Sequence, residues 1–175
     1  MIGAVLLAVH FLALSSTFTA LPDDTSAHIA SYLDSKSLAR YLASSKNRRD
    51  LRYRVKKFGA GYSANEQSND FSFLSGYPNL EEVYLKRSGI ANFSFLPSLT
   101  RLRVLDLAGC LRAFDFCSLL PSSETLEVVR LWRLTPDSPQ CLKKFRKLKK
   151  LYVHNLNDLS ILQGLQNLEE LEIQN

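Results

Sequence analysis

This chain is sparing with the residues that punctuate or cross-link small folds. It has three cysteines, seven glycines, six prolines, one methionine and one tryptophan in 175 residues. So few cysteines exclude a cysteine-stapled scaffold, and so little glycine and proline exclude a collagen or a low-complexity chain. Cys110, Cys117 and Cys141 form no CxxC pair, and His10, His28 and His154 lie in three different regions, so no cluster with the ligand spacing of a structural zinc site is present in the sequence. The odd, scattered cysteines read as marks of a reducing compartment or as small buried hydrophobes. Also missing are a glycine-rich phosphate loop, a GxSxG elbow and an HExxH pair. His154 and Asp158 stand four apart in a strand-then-loop frame and need not meet. No catalytic residue, metal or cofactor is expected, and the chain reads as a non-enzyme.

The first twenty residues, MIGAVLLAVHFLALSSTFTA, lack any charged side chain. An apolar run of this kind followed by small polar residues has the outline of a secretory signal peptide. No Lys or Arg precedes it, Phe18 stands where a small residue is wanted before a cleavage after Ala20, and the serines and threonines of its second half suit a membrane anchor poorly. An apolar helix packed on the next module, or a start codon upstream of the real one, are the other readings. The segment leaves a cytoplasmic or nuclear location and a secreted one both open.

What is abundant is leucine, at 32 residues, within a composition 46% hydrophobic and 22% charged. That balance excludes a disordered chain and directs attention to repeats. Net charge is +5 and unevenly spread. Nine Lys or Arg and one Asp lie between Lys36 and Lys57, a local balance of +8, and Lys143, Lys144, Arg146, Lys147, Lys149 and Lys150 form a run with no acid inside it. Such fields attract phosphates, anionic membranes or acidic protein surfaces. No nucleic-acid-reading motif accompanies them, so nucleic acid is not an expected partner, nor is a membrane unless residues 1–20 anchor the chain.

Residues 21–54 carry helix punctuation. Pro22, Asp23 and Asp24 suit a helix start; Ile29, Tyr32 and Leu33 share a face, and Leu38, Tyr41 and Leu42 share the next. Leu21-Pro22, Ile29, Tyr32-Leu33-Asp34, Leu38 and Ser45-Lys46 followed by Leu51 resemble a degenerate F-box, with Ala30 and Arg48 at positions where that family carries large apolar residues. The resemblance implies adaptor binding through Leu21, Pro22, Ile29, Leu33 and Leu38. Residues 55–70, punctuated by Gly59, Gly61, Ser63 and Asn65, read as a linker or the cap of a first repeat.

From residue 71 to residue 175 one frame recurs. Segments beginning at Leu80, Leu102, Leu126, Leu148 and Leu168 are 22, 24, 22 and 20 residues apart, with aliphatics at offsets 0, 3 and 5. Offsets 3 and 5 fall on one side of a short strand, and stacked strands would build a core no single segment could bury. Phe71-Ser72-Phe73-Leu74 returns as Phe93-Ser94-Phe95-Leu96, marking return segments with room for a turn or a short 3-10 stretch. The pattern resembles the leucine-rich-repeat family. The predicted fold class is α/β: a short N-terminal helical module followed by a leucine-rich-repeat solenoid with parallel concave strands.

Offset 8, where that family usually carries Asn or Cys, holds Ser88, Cys110, Leu134 and Leu156, and the last repeat stops at Asn175 before its own offset 8. A missing cap there reads as a fragment, a truncated product or dependence on a partner. Side chains at offsets 2, 4, 6 and 7 should face one open surface, where Tyr84, Lys86, Arg130, Trp132, Arg133, Tyr152 and His154 form an aromatic and basic patch, with Glu169, Glu170 and Glu172 at its end. Such residue types favour a protein interface. Together the two resemblances imply an F-box and leucine-rich-repeat substrate receptor of a cullin–RING ubiquitin ligase, meeting the ligase adaptor through residues 21–54 and a protein substrate through the open face. The competing readings are a secreted leucine-rich-repeat binding module and a structural subunit of a larger assembly.

Overall fold

The computed structural model describes residues 53, 55–59, 70–90, 92–110, 114–135, 138–154, 156 and 162–174. The apolar segment 1–20 and nearly all of the helical module 21–54, including Leu21, Pro22, Ile29, Leu33 and Leu38, lie outside them.

Among the described residues six strands make one all-parallel sheet in simple chain order: β1 (Lys57–Gly59), β2 (Glu82–Tyr84), β3 (Val104–Asp106), β4 (Val128–Leu131), β5 (Lys150–His154) and β6 (Glu170–Gln174). β1 comes from the stretch 55–70, where three residues are too few to show a period. The register is uniform, with Val83, Leu105, Val129, Leu151 and Leu171 side by side across β2 to β6. One leucine fixes each strand's start. Leu80, Leu102, Leu126 and Leu148 are completely buried just before β2, β3, β4 and β5. Two successive N–H groups after each leucine then donate to a single carbonyl of the preceding strand. Glu81 and Glu82 both reach Lys56, Arg103 and Val104 reach Glu81, Glu127 and Val128 reach Arg103, and Lys149 and Lys150 reach Glu127.

This repeated hydrogen-bond junction also aligns charge. The residue after each leading leucine alternates in sign from strand to strand: Glu81, Arg103, Glu127, Lys149, Glu169, with Lys56 before them. Lys56 meets Glu81 at 3.0 Å, Arg103 meets Glu81 at 3.8 Å and Glu127 at 3.0 Å, and Lys149 meets Glu169 at 3.5 Å. Exposed pairs of this kind add little to stability individually. Their larger effect is on register, because a slip by one residue exchanges the faces of the strand.

The core lies between the sheet and its return segments. Three 3-10 turns (Ser72–Gly76, Leu96–Ser98 and Phe116–Ser122) and one short helix, α1 (Ser138–Leu142), line that side. The turns begin alike: the carboxylate or amide oxygen of Asp70, Asn92 and Asp115 accepts the N–H two residues on, from Ser72, Ser94 and Cys117. Phenylalanines fill the space beneath. Phe93 meets Phe114 edge-on at 5.0 Å, Phe114 meets Phe116 at 6.4 Å, and Phe116 meets Phe145 at 4.6 Å.

These observations correct the predicted leucine-rich-repeat solenoid, and with it the F-box and leucine-rich-repeat assignment built on that architecture. Among the described residues the strands belong to one continuous parallel sheet with few, short helical segments, not to a curved stack of matched repeats. Curvature in a strand–helix stack comes from pairing strands spaced about 4.8 Å apart with helices about 10 Å wide. Among the described residues the return segments are three 3-10 turns and one five-residue α-helix, at five, three, seven and five residues, too short and unequal to splay the far side evenly. The substrate-receptor role was inferred from that architecture and loses its structural basis with it.

Offset 8 is resolved differently in successive turns. Buried Ser88 lies 3.9 Å from the Cys110 sulfur, and Cys110 donates to the Leu85 carbonyl. Burial pushes the Cys110 thiol above its ordinary value of 9.0. Leu134 offers no such group, and fully buried Ser138 supplies it from α1. Its hydroxyl accepts from the Phe116 N–H at 3.2 Å and donates to the Phe114 carbonyl at 3.3 Å.

The cysteine reading also needs correction. Cys117 and Cys141 form a disulfide that ties the Phe116–Ser122 turn to α1, with their Cα atoms 5.2 Å apart; Cys110 is the buried free thiol. Partners 24 residues apart in sequence show no local motif, so only folding brings them together.

Two outcomes follow for stability. Replacing Ser138 by Ala orphans the Phe116 N–H and should cost about 1–3 kcal/mol in denaturant unfolding. Reducing the disulfide, or making Cys117→Ser, should cost about 3 kcal/mol by the loop-closure argument, read as a lower unfolding midpoint with reductant than without.

Candidate functional site

The solvent side of the sheet carries three rows of side chains, one for each alternate strand position. The middle row is Tyr84, Asp106, Arg130, Tyr152 and Glu172, neighbours by strand register. Lys86, Trp132 and His154 lie one alternation further along, and Arg133 follows Trp132 at the same end, exposed. All seven residues predicted for this face are therefore on the described sheet or its immediate extensions, but they fall into two groups.

The larger group sits over β4 and β5. The Trp132 and His154 rings stack at 4.1 Å and 27°. Beside them the Arg130 guanidinium lies over the Tyr152 ring at 4.4 Å. Both pairs arise because β4 and β5 align residue with residue, placing Arg130 directly beside Tyr152. Stacking spreads both rings as a platform and leaves each half-buried. The Tyr152 hydroxyl donates to Glu170 at 2.6 Å, and Lys150 meets the same carboxylate at 2.6 Å.

The smaller group repeats that arrangement at the other end of the sheet. Lys57 meets Glu82 at 2.9 Å, the Tyr84 hydroxyl donates to Glu82 at 2.8 Å, and the Lys57 ammonium lies 4.8 Å from the centre of the Tyr84 ring. Lys86 is exposed just beyond. Each end thus holds a Lys–Glu–Tyr cluster. The half-buried Val104 and Val128 lie in the row between Glu82 and Lys150.

Sequence reasoning missed Lys57, Glu82, Lys150 and the inward role of Glu170. They stand at offset 2, a position the sequence reading puts on this face without comparing its residues, and that comparison shows two acid–base neighbours flanking two valines.

The clusters alter proton affinity in both directions. Burial alone would raise the Glu82 carboxyl, but hydrogen bonds from Lys57 and Tyr84 outweigh it and hold the group below its ordinary 4.5. Hydrogen bonding to Arg103 lowers Glu127, and hydrogen bonding to Lys150 and Tyr152 lowers Glu170. Tyr84 is raised by burial and by Glu82, and Tyr152 chiefly by its bond to Glu170.

The basic run of residues 143–150 reaches an open cleft of about 420 Å³ where β5 and β6 begin, lined by Arg146, Lys147 and Lys149 together with Glu127, Glu169 and Asn167. Lys149 pairs with Glu169, and the Asn167 amide donates to the Arg146 carbonyl. Charges of both signs line this cleft. Among the described residues no group of three His, Cys, Asp or Glu could hold a metal ion, and no helix is long and apolar enough to cross a membrane.

No protein-family model matches this chain, and comparison with the curated proteins finds no match. The F-box and leucine-rich-repeat assignment, and with it the role as a ubiquitin-ligase substrate receptor, therefore lacks support from any relative as well as from the fold. The five residues to which adaptor binding was assigned lie outside the described residues.

Lowered carboxyls give a signed pH dependence. Glu82, Glu127 and Glu170 contribute stability that is complete above 4.5 and lost as pH falls through their lower folded-state values. The thermal midpoint should be level on the neutral side of 4.5 and fall on the acid side, and Glu127→Gln should make that fall shallower.

Proposed function

We propose that this sheet is a non-catalytic protein-binding domain that holds its partner against the Arg130, Trp132, Tyr152 and His154 platform and works in an oxidising compartment. The stacked Trp132–His154 pair carries the reading of the face. Large rigid aromatics beside an arginine supply contact area at little entropic cost, and such residues concentrate binding energy in protein interfaces. The exposed cations Lys86, Arg87 and Arg133 border the face, so an acidic loop of the partner fits it best. The compartment is supported by the Cys117–Cys141 bridge, since such bonds persist where thiols are not kept reduced. That support favours the secreted reading of the sequence over the cytoplasmic or nuclear one.

The test places a photo-crosslinking side chain at position 154 on the sheet face and, separately, at exposed Ser98 on the return side. Partner capture from the secretory fraction should give one discrete adduct from position 154 and none from position 98. Trp132→Ala should reduce that adduct about 30-fold, the effect of losing a 2 kcal/mol anchor, with a cooperative unfolding transition retained. Equal adducts from both positions, or yields indifferent to Trp132→Ala, would remove this face from consideration.

A further inference from the structure

The alternating charges at the strand starts have a polarity that runs across the whole sheet. It begins at β1 with the dyad Lys56–Lys57 and ends at β6 with the dyad Glu169–Glu170. Both dyads are paired on their inner sides with a dyad of opposite charge. Lys56 and Lys57 meet Glu81 and Glu82 at 3.0 and 2.9 Å, and Glu169 and Glu170 meet Lys149 and Lys150 at 3.5 and 2.6 Å. Among the described residues, β1 and β6 are each bonded on one side only.

We propose that the outer edge of β6 receives β1 of a second copy of this chain, in parallel and in the register Glu169 to Lys56, Glu170 to Lys57 and Leu171 to Phe58. The contact repeats two junctions that the fold already contains, with acidic β6 between two lysine dyads as basic β1 lies beside a glutamate dyad. Across such a junction the sheet would continue with its charge alternation unbroken.

Three observations select this occupant. First, the edge has both bonding capacity and apolar surface to cover. The N–H groups of Leu85 and Leu107 donate forward, to Asp106 and Arg130 of the following strands, and the groups of the same parity on β6 belong to Leu171 and Ile173. Those donors therefore face the open edge, and Leu171 is 37% exposed although its register neighbours Val83, Leu105, Val129 and Leu151 are completely buried. Second, β6 carries Glu169, Glu170 and Glu172 within four residues, so pairing with another β6 sets like charges together. Third, among the described residues two strands begin with a lysine dyad, and β5 is already bonded on both sides, which leaves β1.

The energetic roles divide. Exposed ion pairs are individually weak and salt-screened, so the dyads choose the partner and its register. Strand hydrogen bonds and burial of Leu171 supply the attraction. One strand-to-strand contact buries less than a stable interface needs, so association is reversible and concentration-dependent. Because the two edges differ, the contact is head-to-tail and extends into a ring or an open chain of copies rather than a closed dimer.

Sedimentation velocity of the full chain, over a concentration series at low and high salt, tests this. The weight-average sedimentation coefficient should rise with concentration and fall back with salt. Leu171→Pro removes an outward N–H and leaves the inward bonds of β6 in place, so it should abolish the rise, whereas Leu171→Ala, which trims the same side chain and keeps the N–H, should retain part of it. Two charge-reversed chains, E169K/E170K and K56E/K57E, should each fail to associate alone and should associate when mixed in equal amounts, because each then offers the other an opposite dyad. A chain that stays monomeric throughout, or a Leu171→Pro chain that associates like the parent, overturns the proposal. So does stronger self-association by E169K/E170K alone, which would mean that β6 pairs with β6 once its repulsion is removed.

Discussion

The junction at the head of each strand governs this structure. A fully buried leucine plants the chain, and the next two N–H groups converge on one carbonyl of the strand before. That single arrangement fixes where each strand begins, which side chains turn inward and which charges become neighbours. A parallel sheet has no hairpin to set its register, so the register must be written at every crossover. Here it is written five times, four of them around a completely buried leucine. Leu168, before β6, is only partly covered, as suits a strand with one neighbour.

The two sides of the sheet follow from that junction in different ways. Inward, the repeated aliphatic positions form a continuous column, and the return segments close over it with phenylalanines and Asx-initiated turns. The disulfide and the Ser138 hydroxyl reinforce one region, where Leu134 has replaced a polar residue and α1 replaces a 3-10 turn. Outward, identical register makes rows, and rows make pairs. Arg130 lies over Tyr152 and Trp132 stacks on His154 because strands β4 and β5 are aligned, not because the sequence places these residues near each other.

Legibility in the sequence divided along the same line. The frame of 20–24 residues located the strands β2 to β6, since leucine at fixed offsets is a local signal repeated often enough to read. The outward rows could be enumerated from that frame. The family architecture attached to the frame was not legible in it. A period specifies that segments stack, whereas curvature depends on the thickness of the return segments, and those proved short and unequal. Three-residue β1 left no period to detect, and the Lys–Glu–Tyr clusters escaped because their partners come from neighbouring strands some twenty residues or more apart in sequence.

The sequence by itself determined the strand frame, the inward aliphatic column and the alternation of charge from one strand start to the next. Each is a matter of residue type at a fixed interval, and intervals survive in one dimension. Only the tertiary structure decided that Cys117 meets Cys141, that Ser138 rescues the turn beside Leu134, and that the chain closes as a single parallel sheet with unlike edges. Those outcomes depend on which return segments lie against one another, a distance across the fold that no spacing along the chain encodes.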